Sequence, residues 1–392
     1  MTPTTAVYLD NAATTRLDPE VLDAMLPLMT EQFGNPSSIH SHGRTVRTAI
    51  EKARKTVASL LNTSPAEIFF TSGGTEADNT AIRSSIESYG LTHAITSPLE
   101  HHAVLHTLQH LEKQGLIQLS LVNIDAKGHL DVDHLENLLR THRSTGPARS
   151  LVSLMHGNNE IGNLLNLQQV GELCRRYDAI FHSDTVQTMG HFRHDLQQLP
   201  VDFIVGAGHK FHGPKGVGFL YVNADRVKIH PFLYGGAQER NMRGGTENVY
   251  GIIGLAKALE IAYRDMDAHK KHITSLKRRM IDRLREKMPD VRFNGDSGDV
   301  ENSLYTVLNV SLPASDLSDM LLFSLDIARI SASGGSACSS RSNVGSHVLA
   351  ALPTVDPERG YVRFSFGKYN TAEEIDYAVD TLVGLYEKEL VK

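Results

Sequence analysis

Two cysteines, Cys174 and Cys338, are all that this chain of 392 residues contains. That number cannot build a disulfide framework or a four-cysteine metal site, so each cysteine is either core filler or a reagent. Charge of one sign is also missing. With 39 Lys and Arg against 45 Asp and Glu, the net charge is −6 and no basic block occurs, so nothing points to a nucleic-acid groove. No stretch approaches 18 consecutive apolar residues, and the opening MTPTTAVYLD lacks the basic start and apolar run of a signal peptide. A cytoplasmic protein without membrane contact is expected. Two nucleotide fingerprints are absent as well: Pro214 separates Gly213 from Lys215, so there is no P-loop, and no GxGxxG occurs.

What is present is α/β alternation on a chain long enough for two domains, with 41% hydrophobic residues to fill their cores. Asp18-Pro19-Glu20 reads as a helix start, followed by Val21, Leu22, Met25, Leu26, Met29 and Phe33 as one buried face until Gly34 stops it. A second helix carries Val46, Ile50, Ala53, Val57 and Leu60 on one stripe, and Ile68-Phe69-Phe70 then reads as a buried strand. The runs HAITS, IQLSLVNI, SLVSLM, AIFHSD, DFIVGA and GVGFLYV mostly alternate with helical stretches. That pattern predicts a largely parallel sheet covered on both faces, with ligands at the carboxyl ends of its strands. It changes near residue 260, where a charged amphipathic helix leads into new strands and helices.

Three of those strand ends carry chemistry. In TSGGTEADN the chain leaves a strand through Gly73-Gly74 and enters a helix at Thr75, so free backbone N–H groups and a hydroxyl face an anion, most simply a phosphate. Asp184 follows the apolar strand of AIFHSDTVQ, where a carboxylate needs a cationic partner. Lys210 ends DFIVGAGHK beside His209, and a partly desolvated amine near another cation is a nucleophile. Lys215 lies in a turn and reads as an exposed or structural charge. A phosphate cup, a carboxylate for a ring nitrogen and an amine nucleophile are together what pyridoxal phosphate requires.

The motifs YLDNAATT, FGNPSSIH, FTSGGTEADN, EHHAV, NNEIG, HSDTVQ, GHKFHGPKGVG, RGGTEN, SGGSACSS and VRFSFG run in order over nearly the whole chain. On them the sequence resembles the cysteine desulfurases of the class-V aminotransferase family, close to the group that supplies sulfur for iron-sulfur cluster assembly. The resemblance implies an aspartate-aminotransferase-like fold, type I among pyridoxal-phosphate enzymes, and a homodimer. It also implies a large cofactor-binding domain over residues 15–260 and a small domain from residues 1–14 and 261–392.

Carried over by motif, Lys210 resembles the lysine that holds the cofactor, Asp184 the partner of its pyridinium nitrogen and Gln187 the partner of its phenolic oxygen. Gly74, Thr75 and His209 resemble the phosphate cup, with Thr246 reaching in from the other subunit. His101 looks like the imidazole that stacks on the ring and moves protons. Asn159 resembles a residue that orients cofactor and substrate, Asn35 a substrate-binding one, and Arg363 the guanidinium that clamps the substrate carboxylate. One departure stands out: Ala207 occupies a position where the family group often has serine bonded to the phosphate.

Cys338 lies in SASGGSACSSRSN, a Gly/Ser-rich stretch without apolar periodicity, and reads as a reactive thiol on a tether expected to be poorly ordered without a partner. Cys174, on an apolar helical face with Val170 and Leu173, reads as core. His102 and His106, four apart, share a helix face, but no further ligand completes a set and no metal is expected. His40 and His42 fit either a site entrance or plain surface. The resemblance implies that L-cysteine becomes L-alanine while its sulfur passes to Cys338 as a persulfide and then to an acceptor, an iron-sulfur scaffold or a sulfur carrier for tRNA thiolation. The alternatives are a selenocysteine lyase, another reaction of the same family, or a catalytically silent scaffold that keeps the fold.

Overall fold

The computed structural model describes residues 6–145, 149–334, 345–356 and 358–390. Seven strands form the central sheet, in the spatial order Ile68–Thr71, Gly218–Val222, Phe203–Ala207, Ile180–Ser183, Leu151–Ser153, His93–Thr96 and Gln118–Leu121. Every neighbouring pair is parallel except those made by Gly218–Val222, which runs antiparallel to both of its partners. His93–Thr96, Leu151–Ser153, Ile180–Ser183 and Phe203–Ala207 are buried along their whole length, as inner strands covered on two faces must be.

Helices cover this sheet. Gly74–Tyr89 and His102–Lys113 pack Ala77, Ala81, Ile82, Val104 and Leu108 against one face. On the other, Ser41–Leu60 and Val249–Arg264 share a core with Phe181, Ile204 and Phe219. A separate apolar core lies in the C-terminal part, where Met266–Lys287 and Ala372–Leu390 pack on the antiparallel strands Val307–Ala314 and Arg359–Ser365. The N-terminal strand Val7–Tyr8 joins that second core by pairing in parallel with Ile330–Ser331, so the first residues of the chain bridge the two halves.

The sequence reading of the first helix is corrected in two respects. Asp18 caps it as expected, accepting from the Glu20 N–H at 2.8 Å, an arrangement worth about 1 kcal/mol. It ends at Thr30, however, not at Gly34, and buries only Val21 and Met25. Leu22, Leu26, Met29 and Phe33 are 47%, 52%, 50% and 75% exposed. A helix on the rim of a single chain can turn only one stripe inward, and the apolar residues beyond that stripe are left uncovered. The second helix follows its pattern, with Val46, Ile50, Ala53 and Val57 buried.

Candidate active site

The three strand ends converge. After Ile68–Thr71 the backbone turns at Gly73, whose φ of +155° suits glycine, and enters the helix Gly74–Tyr89 with no side chain capping its first turn. The N–H groups there are open to an anion, and Glu76 is turned away to pair with Arg243 at 2.9 Å. A methyl group on Gly74 would lie 2.7 Å from Val186 Cγ2, so this approach of helix to loop requires glycine. Asp184 leaves the end of Ile180–Ser183 buried, and its Oδ1 is steadied by the Val186 N–H at 2.9 Å. Lys210 closes a short turn after Phe203–Ala207 and donates from Nζ to the carbonyls of Ala12 at 2.5 Å and Ala13 at 2.9 Å.

These groups line one cavity of about 270 Å³, together with His101, Asn159, Gln187, Ala207, His209 and Arg363. His101 caps the helix His102–Lys113, its Nδ1 accepting from the Ala103 N–H at 3.2 Å. A neutral ring bonded in this way carries its proton on Nε2. Burial, aided by the positive charge of Lys210, lowers the His101 pKa, and Asp184 opposes the shift. His209, bonded to the Thr14 hydroxyl at 3.2 Å, is pushed down to about 4, first by burial and then by Lys210 and Lys215. Gln187 donates to the Ala12 carbonyl at 3.0 Å.

Arg363 is brought in by the second half of the chain. Its strand pairs with Val307–Ala314, and its own backbone bridges Ser333. The side chain is 1% exposed, with Nη2 2.8 Å from Asp10 Oδ1 and Nη1 donating to the Asn159 carbonyl at 3.1 Å. Its Nε is buried without a hydrogen-bond partner among the described residues, and the residue lines the cavity, where a guanidinium suits a substrate carboxylate.

Two expected site residues are not in this cavity within one chain. Asn35 is exposed and bonds the Ser37 N–H at 2.9 Å in its own turn. Thr246 is exposed and lines a different pocket, of about 150 Å³, with Ser72, Gly216 and Arg243. Cys338 lies outside the described residues. Lys215 is exposed beside Gly216, whose φ is +75°, and Cys174 is buried at 1% exposure, with its thiol pKa raised by burial. His40 caps the helix Ser41–Leu60, accepting from the Gly43 N–H at 3.3 Å, and the His102 and His106 rings stack at 4.4 Å while His102 Nε2 meets His347 Nδ1 at 3.0 Å.

The sequence reading missed Asp10, Asp78 and the paired carbonyls of Ala12 and Ala13. Asp10 and both alanines belong to YLDNAATT, and Asp78 stands one helical turn beyond Gly74, so motif and spacing carried a signal for each.

The open helix terminus, the glycine that lets it approach, the carboxylate at one strand end and the amine at the next fit pyridoxal phosphate: Gly74, Thr75 and His209 would hold its phosphate, Asp184 its ring nitrogen and Lys210 its aldehyde. Fold and cavity define a pyridoxal-phosphate enzyme of fold type I. The model of the class-V aminotransferases matches residues 7–378, and the chain belongs to that family. It is 43% identical to the cysteine desulfurase IscS of Dictyoglomus turgidum, over 97% of this chain and 95% of that protein. Among solved structures it is similar to a NifS-like protein, with 35% identity and a TM-score of 0.88 over 98% and 100% of the two chains. It is also similar to SspA in complex with cysteine, with 30% identity and a TM-score of 0.79 over 93% and 100%.

Proposed function

We infer that this protein is a cysteine desulfurase, converting L-cysteine to L-alanine and handing the sulfur to an acceptor. The observation that carries the reading is Arg363: a guanidinium among the residues that line one cavity with Lys210 and Asp184 suits an amino acid's carboxylate while its amine meets the cofactor. The relatives named as cysteine desulfurases at about this chain's full length support the substrate.

Bound pyridoxal phosphate supplies an electron sink for the pair left when the substrate's α-proton is removed. Asp184 would hold the ring nitrogen and keep it protonated, and Gln187 and Asn159 would orient cofactor and substrate. The Lys210 amine would take the α-proton, and His101 Nε2 would manage the proton of the substrate thiol. Arg363 fixes the carboxylate, held in place by Asp10 and the Asn159 carbonyl. The Cys338 thiolate attacks the substrate sulfur. A sulfur–sulfur bond forms, the carbon–sulfur bond breaks with its electron pair passing to the β-carbon, and protonation there, followed by return of a proton to the α-carbon from Lys210, completes alanine. The persulfide is then delivered to an iron-sulfur scaffold or sulfur carrier in the cytoplasm.

A homodimer is part of the same reading. Leu22, Leu26 and Met29, at helical spacing, with Phe33 and the 88% exposed Ile39, form an uncovered apolar surface of the kind an obligate interface buries. Thr246, outside its own chain's cavity, would then serve the partner's. Two cores support the division into a large domain, residues 15–260, and a small one, residues 1–14 and 261–392.

The test is alanine released from L-cysteine by the cofactor-loaded protein, beside Lys210→Ala and Cys338→Ala. Alanine from the wild type alone sustains the reading. Equal release by Cys338→Ala removes that residue as the relay, and no release from any of the three overturns the substrate.

A further inference from the structure

Beneath the cavity lies a contact that no step above uses. Asp78, 1% exposed, lines the cavity wall, and its Oδ1 is 3.3 Å from Nε2 of His182, which has no exposed surface. Among the described residues neither atom has a hydrogen-bond partner, and their mutual geometry falls short of a formed bond, so two orphaned polar atoms face each other at 3.3 Å. The other ring nitrogen of His182 meets the Ser153 hydroxyl at 2.8 Å on the adjacent strand.

The positions of the two residues give the contact its meaning. Asp78 is one turn along the helix from Gly74, so it moves with the phosphate cup. His182 is two residues before Asp184 on the strand Ile180–Ser183, so it moves with the carboxylate at the ring nitrogen. The contact spans the two elements that must hold opposite ends of one rigid cofactor.

The charge state follows from the surroundings. Burial first, and then the neighbouring carboxyl groups of Asp184 and Glu100, raise the Asp78 pKa well above the ordinary carboxylate range. Lys210 and His101 share the cavity with Asp78. Burial holds His182 down to about 3. A neutral acid can donate to a neutral imidazole, which leaves the other ring N–H for Ser153. An ion pair there would demand full desolvation of two charges beside a third.

We propose that Asp78 and His182 form a neutral, proton-sharing clasp that sets the spacing between the phosphate cup and Asp184, making both positioning residues for the cofactor. The proposal rests on the reading of this cavity as the pyridoxal-phosphate site. Asn at position 78 can donate the same hydrogen bond through its amide, whereas Ala cannot.

The experiment compares wild type, Asp78→Asn, Asp78→Ala and His182→Phe, each stripped of cofactor, by infrared difference spectra and by spectrophotometric titration with pyridoxal phosphate. Glu100→Gln serves as the control for the other buried acid. In the infrared, a protonated-carboxyl band present at neutral pH should be lost in Asp78→Asn and kept in Glu100→Gln. In the titration, Asp78→Asn should bind within about threefold of wild type, while Asp78→Ala and His182→Phe weaken binding tenfold or more. An ionised Asp78 would show no such band and would make Asn as damaging as Ala, and either result overturns the proposal. Unchanged affinity in both Ala and Phe variants also overturns it. If a variant fails to fold by circular dichroism, the infrared band and the Asn variant still decide. A wild type that binds no pyridoxal phosphate would instead overturn the reading of the cavity.

Discussion

The carboxylate of Asp10 is 2.8 Å from the guanidinium of Arg363, joining the segment after the N-terminal strand to a strand near the end of the chain. With the Asn159 carbonyl on Nη1, this contact leaves Nε as the one guanidinium nitrogen without a hydrogen bond among the described residues. The consequence is geometric, because a fork already fastened at two nitrogens presents the third in a single direction. Asp10→Ala is therefore expected to raise KM for L-cysteine by about tenfold, about 1.4 kcal/mol, with kcat changed far less. Steady-state kinetics check it. A lower KM would mean that Asp10 weakens the clamp by neutralising it. Arg363→Lys, which cannot reproduce the fork, should be as poor as Arg363→Ala.

Ala207 lines the cavity at 1% exposure and, unlike Thr75, offers it no hydroxyl. Restoring one with Ala207→Ser adds a donor toward a charged phosphate, and hydrogen bonds to charged groups contribute about 1.5–3 kcal/mol. Cofactor affinity should rise at least tenfold. Fluorescence titration of the cofactor-free protein measures it, and unchanged affinity would mean that the Gly74 helix terminus already saturates the phosphate.

Lys277 has no exposed surface, and its amine donates to the Ser303 hydroxyl at 2.6 Å and the Leu304 carbonyl at 3.1 Å. Burial lowers its pKa to about 7, against some support from Asp299 and Asp296. The fold therefore prefers the neutral amine, and between pH 7 and the unfolded value near 10.5 the unfolded chain binds the extra proton. Stability should rise with pH across that window by up to ~1.4 kcal/mol per unit from this one group. Urea unfolding of wild type and Lys277→Met at pH 7, 8 and 9 isolates it: the rise should vanish in the variant.

His93, His102, His191, His194, His209 and His212 are held near 4, and His156 near 3, in each case first by burial. Their folded values are depressed below 6.5, so their contribution is present above pH 6.5 and is lost as pH falls from there toward 4. The cofactor-free protein should unfold in acid with uptake of several protons per chain, read from the pH dependence of the urea midpoint. His156→Gln, which keeps a polar group against Thr188, should make that dependence less steep. A flat profile between pH 6.5 and 5 would show that these rings protonate without disturbing the fold.

Much of this protein was settled by local order along the chain. Alternating apolar runs determined the strands, since inner strands of a parallel sheet are apolar throughout. Asp184 and Lys210 announced themselves because a charged residue directly after such a run must stand at a strand end, where ligands bind. The glycines before Thr75 marked an open helix terminus for the same local reason. Tertiary structure decided the rest. The fate of the first helix's apolar face depended on how much of it one chain can cover, which periodicity cannot report. Asp10 meeting Arg363, Asp78 meeting His182, and the carbonyls of Ala12 and Ala13 receiving Lys210 all join residues far apart in sequence. No local pattern encodes such pairs; they follow from where the sheet and helices place their ends.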